Sequence, residues 1–157
     1  MRALALVTFV CIAGLLGAGC GSADDSTPVA CLEGASAYER ALKAAPDEVL
    51  LEDETPISEC LTRNQSSGDL TRVGEALIET ATALNAEARK DPGGAANLQL
   101  GYLLGAVERG AEEGEGIHSD LVRRLVVAAR FTPNKQPSPR GFLPTYSEGF
   151  EAGRSGG

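Results

Sequence analysis

Tryptophan is absent, histidine and methionine occur once each, and three tyrosines and four phenylalanines make up the whole aromatic complement. A groove that stacks sugar rings is therefore poorly supplied. A zinc enzyme needs several His or Cys ligands, and His118 stands alone with no cysteine at ligand spacing. No Gly-x-Ser-x-Gly elbow occurs, and Gly93-Gly94 has neither the lysine nor the fingerprint spacing of a phosphate-cradling loop. Positive charge is also scarce: 14 Lys+Arg face 22 Asp+Glu, for a net charge of −8. Such a body is repelled by phosphates, which argues against nucleic acid as a partner. No cofactor and no metal is expected. A two-carboxylate glycosidase remains open, because glutamates are plentiful and lie in no motif.

The N-terminus is where the sequence speaks most clearly. Met1-Arg2 is a short positive start, Ala3 to Leu16 is uncharged and apolar, and Gly17-Ala18-Gly19 brings small residues up to Cys20. This is the pattern of a secretory signal, and with several glycines it is a poor permanent span. The stretch Leu15-Leu16-Gly17-Ala18-Gly19-Cys20 resembles the lipobox of bacterial lipoproteins, although Gly17 stands where leucine is usual and Leu16 lies one place earlier. The resemblance covers residues 1–20 only. It implies a diacylglyceryl group on Cys20, cleavage before it, and anchorage by lipid to the outer face of a cell membrane. In a source with two membranes the location would be periplasmic or at the outer membrane.

Removing 19 of the 157 residues leaves 138, one domain of ordinary size, and loses Arg2, so the mature charge becomes about −9. Cys11 goes with the signal and Cys20 with the anchor. Cys31 and Cys60 remain, and two leftover thiols in an oxidising compartment are expected to pair.

Residues 20–32 read as a lipidated cysteine and a flexible stalk, small, polar and interrupted by Pro28. A helical domain follows over 33–131. Ser36 and Glu39 form a capping box for a first helix that Pro46 stops. Asp47 to Glu54 reads as an extended connector whose Glu52-Asp53-Glu54 is a solvated face. Thr55-Pro56 opens a short helix through about Arg63. Asp69 caps the clearest helix, in which Leu70, Val73, Leu77, Ala81, Leu84 and Ala88 fall within about 80 degrees of one another. Asp91-Pro92-Gly93-Gly94 ends it. Ala95 to Glu113 is the next helix, its core face marked by Leu100, Leu103, Leu104, Val107 and Ala111, with Gly101 and Gly105 beside it. Glycines in a helix destabilise it by nearly 1 kcal/mol each, and the usual reason to keep them is close approach of another helix. Ile117 to Phe131 completes the pair expected at the centre of the core. Residues 132–157 read as a proline-rich link and a short aromatic segment, capped by Thr145, with Tyr146 and Phe150 on one side. The expected fold is all-α, a single-domain bundle of about four to six helices with one disulfide and no strand pattern.

His118 carries two readings. On the wheel it falls beside Leu121 and Leu125, which suits a neutral core histidine bonded to a polar neighbour. The functional reading gathers Asn97, Glu108, Glu112, His118 and Arg124 in a polar cleft, with His118, Glu108 and Glu112 as candidates for general acid-base chemistry or for a small polar ligand. Four aromatics, Phe131, Phe142, Tyr146 and Phe150, lie in the final 27 residues. Tyr146 and Phe150 are expected either to dock on the core, the favoured outcome, or to present an anchor to a partner. The function these observations favour is a lipid-anchored extracytoplasmic binding or structural accessory, with an envelope protein or small polar ligand as its partner. A small envelope enzyme using His118 is the alternative.

Overall fold

The computed structural model describes residues 26–114, 117–130 and 139–157. The signal segment with Cys11, Cys20, the stalk to residue 25, the turn at 115–116, Phe131 and the link to residue 138 lie outside the described residues. The fold is all-α. Among the described residues there are five α-helices, α1 (Ala35–Ala41), α2 (Ser67–Ala88), α3 (Ala95–Glu113), α4 (Ser119–Ala128) and α5 (Phe142–Gly156), with three short 3-10 turns and one two-stranded ribbon before α2.

α3 is the central helix. Leu100, Leu103 and Val107 are fully buried, and they meet Val73, Leu77 and Ala81 of α2, Leu121 and Leu125 of α4, and Tyr38 and Leu42 from the α1 region in one core. Its most intimate neighbour is α5, not α4. Gly101 and Gly105 of α3 face the backbone carbonyls of Tyr146 and Phe150, while Gly149 and Gly153 of α5 face those of Leu98 and Tyr102. A methyl group at any of the four would collide with the opposing backbone. The glycines on α3 thus have the partner helix their spacing implied, and that helix brings a matching pair.

The C-terminal segment is longer and more deeply integrated than a short aromatic turn. α5 runs for 15 residues and takes Pro144 into its first turn, where a missing N–H costs nothing because that donor has no intrahelical acceptor. Thr145 is accordingly a helical residue and not a cap.

Other boundaries also move. α1 begins after Gly34, whose φ of +86° suits glycine, and Ser36 makes no capping bond. α2 starts at Ser67, three residues before the position that Asp69 as cap predicts. The Ser66 hydroxyl accepts from Asp69 N–H at 3.1 Å, and Asp69 favours the first turn through its charge. Thr55-Pro56 is strand rather than helix. Leu50–Leu51 (β1) pairs antiparallel with Thr55–Pro56 (β2), and a 3-10 turn, Ile57–Cys60, follows. Glu52 and Asp53, at φ +49° and +60°, make the tight turn between the strands, a left-handed pair matched to strand twist. The domain begins before residue 33: Thr27 is buried and accepts from Gln65 Nε2 at 3.1 Å. Cys31 and Cys60, both fully buried, form the disulfide with Cα atoms 5.5 Å apart. It fastens the start of the domain to the 3-10 turn that Gly110 of α3 receives at close range.

Candidate functional site

His118 caps the N-terminus of α4, and the α4 pattern that buries Leu121 and Leu125 draws it inward to 2 % exposure. Its Nε2 lies 3.1 Å from the Thr62 carbonyl oxygen. A carbonyl can only accept, so Nε2 carries the proton and donates. Nδ1 is buried and has no partner among the described residues. Gly114 lets the ring lie close, since a methyl there would stand 2.9 Å from His118 Cδ2. A cavity of about 200 Å³ beside the ring is lined by Thr71, Glu75, Asp120 and Arg124 among others.

The carboxylates expected near His118 are elsewhere. Glu108 and Glu112 reach across to α5, where Arg154 donates from Nη1 to Glu108 at 3.0 Å and from Nη2 to both oxygens of Glu112 at 2.9 and 3.1 Å. The hydrogen bond and charge of Glu112, followed by those of Glu108, raise the Arg154 pKa above its ordinary value. Neither glutamate lines the His118 cavity. Arg124 does line it, so of the expected cleft only His118 and Arg124 are brought together.

Asn97 is fully buried and donates through Nδ2 to Pro92 O at 2.8 Å and Phe142 O at 2.7 Å. It ties the start of α3 to the start of α5, a positioning role within the fold. Tyr146 and Phe150 are docked. With Phe142 they form a stacked row on α5, ring centroids 5.8 and 6.2 Å apart, and both pack against the core while remaining partly exposed. Burial, and secondarily the Glu108 charge, push the Tyr146 phenol up to about 12.

The arrangement supplies no assembled acid-base pair. The protonated nitrogen of His118 is held by a carbonyl, its other nitrogen is out of solvent reach, and Glu108 and Glu112 neutralise a guanidinium. Among the described residues no group of His, Cys, Asp and Glu is placed to hold a metal ion, and no helix is long and apolar enough to cross a membrane.

Two surface features were not anticipated. One is an open cleft of about 510 Å³ between the first described residues and the end of α3, lined by Ser26, Glu59, Thr62, Arg63 and Glu113 among others. The other is a groove of about 430 Å³ lined by Ile78, Arg123, Arg124, Val127 and Ala128. The pairing of Arg123-Arg124 with Val126-Val127 in one short helix was the available signal for the second. No protein-family model, no curated protein and no solved structure matches the chain.

Proposed function

We propose that the protein is exported, acylated on Cys20, and held at the outer face of a membrane, where the helical domain serves as a binding or structural accessory of the cell envelope. The observation that carries this reading is the uncharged apolar run that ends in Gly17-Ala18-Gly19-Cys20. A disulfide that staples the domain is in keeping with an oxidising compartment. The burial of His118 and the pairing of Glu108 and Glu112 with Arg154 support an accessory role over acid-base catalysis.

Metabolic labelling with a fatty-acid analogue, in cells producing the full chain, tests the anchor. The protein should take up label and fractionate with membranes, and Cys20→Ser should lose the label and leave the membrane fraction or accumulate unprocessed. Label retained in Cys20→Ser would refute acylation at that residue.

A further inference from the structure

α4 has two unlike faces. Leu121 and Leu125 are buried, as is Ala129 at the helix end, and on the opposite side Arg123 and Val127 project outward, flanked by Arg124 and Val126, with Arg130 exposed just beyond the last turn. Val126 and Val127 are 45 % and 57 % exposed, and Ile117 just before the helix is 56 % exposed. These are three of the five exposed large hydrophobics among the described residues. Arg89 joins them, donating to the Arg130 carbonyl at 2.9 Å and so bringing a fourth guanidinium to the end of α4. Opposing charge is limited: Asp120 pairs with Arg123 at 2.5 Å in a largely exposed contact of the kind that contributes little, and Glu75 shares the neighbouring cavity with Arg124. In a chain of net charge −8 this face carries more arginine than carboxylate among its described residues.

Guanidinium groups bind phosphates with paired hydrogen bonds, and apolar residues among them suit the headgroup boundary of a bilayer. The groove of about 430 Å³ is lined by Arg123 and Arg124 together with the apolar Ile78, Val127 and Ala128, a combination suited to an anionic headgroup and the top of its acyl chain. Thr27, seven residues after Cys20, is already buried in the domain, so the proposed anchor would hold the domain within about 25 Å of a bilayer. We propose that the α4 face binds the surface of an anionic phospholipid bilayer, with Arg123, Arg124 and Arg130 on phosphates and Val126 and Val127 entering the headgroup layer. This deepens the membrane reading above by assigning the domain an orientation on the bilayer, and it is testable without the anchor.

The test uses residues 26–157, which contain the disulfide and all the described core and lack Cys20. Its co-sedimentation is measured with vesicles of phosphatidylglycerol and phosphatidylcholine, and with phosphatidylcholine alone. Binding is expected only to the anionic vesicles and should weaken as salt rises. Arg123→Gln with Arg124→Gln should weaken it about thirtyfold, Val126→Asn with Val127→Asn about tenfold, and Arg40→Gln on α1 should have no effect. The substituted side chains are exposed, so circular dichroism should be unchanged in every variant. Absence of sedimentation, equal binding to neutral vesicles, or equal weakening by Arg40→Gln overturns the proposal. So does capture by polyglutamate with no vesicle binding, which would assign the face to an acidic protein. Because Cys20 is missing from this fragment, failure here leaves the acylation experiment standing, and failure there leaves this one standing.

Discussion

Replacing Gly105 by alanine should destabilise the protein even though alanine is the better helix former. The added methyl would collide with the Phe150 carbonyl oxygen and stand 2.9 Å from Arg154 N and 3.0 Å from Phe150 C. All three are backbone atoms, so no side chain can swing aside, and α3 and α5 must separate. Overpacking of this kind costs about 1–3 kcal/mol. Separation also loosens the docking of Tyr146 and Phe150, each worth about 1.5–3 kcal/mol when fully buried and less here because both are partly exposed. Against this stands a gain of about 1 kcal/mol in helix propensity. The net expectation is a loss of about 2–3 kcal/mol, read as a lower urea midpoint with the slope unchanged. Gly68→Ala is the internal control: it lies in the first turn of α2, exposed, with only Ser66 Oγ 3.8 Å from the added carbon, and should be neutral or stabilising by about 0.5 kcal/mol. If Gly105→Ala raised the midpoint as Gly68→Ala does, the close crossing of α3 and α5 would be refuted.

High pH should weaken the fold. The Tyr146 phenol is raised from 10.0 to about 12 and Tyr38 is raised as well, so the folded state favours the neutral phenol. That stability is complete below pH 10 and is lost as pH rises from 10 toward 12, by about 2–3 kcal/mol from Tyr146. A urea midpoint that stays flat between pH 9 and 11.5 would contradict it, and Tyr146→Phe should shrink the fall. Reduction of Cys31–Cys60, 29 residues apart, should cost about 3.5 kcal/mol on the chain-entropy estimate, measured by comparing oxidised and reduced denaturation curves; coincident curves would show the staple carries no stability. Asn97→Ala should cost about 1–3 kcal/mol, because it removes both bonds that Nδ2 donates, to the Pro92 and Phe142 carbonyls, and proteolysis should then cut first near α5. Unchanged protection there would remove the positioning role of Asn97.

Much of the helical framework was legible because periodicity is a local signal. The stripe from Leu70 to Ala88 and the run from Leu100 to Ala111 correspond closely to the buried faces of α2 and α3. What escaped depends on partners far along the chain. Gly101 and Gly105 announced a close neighbour, and Gly149 and Gly153 carry the same spacing, yet Pro144 concealed that α5 is long enough to present them. The hairpin at Leu50–Pro56 was hidden because Glu52 and Asp53 occupy left-handed positions where asparagine or glycine is the usual sign. Tyr102 gave no hint that its hydroxyl would accept from the Val49 N–H, 53 residues away, at 3.1 Å. The polar cleft around His118 failed for the same reason. Glu108 and Glu112 were placed on the correct helix, and Arg154, separated from them by 46 and 42 residues, takes both.

The central claim is that Cys20 is the acylated first residue of the mature protein, and the mass of the intact chain purified from its own envelope tests it most directly. The account predicts a protein that begins at Cys20, carries the added mass of a diacylglyceryl group on that residue, and keeps Cys31 and Cys60 joined. A mature chain that begins elsewhere, or begins at Cys20 with a free thiol, would contradict it.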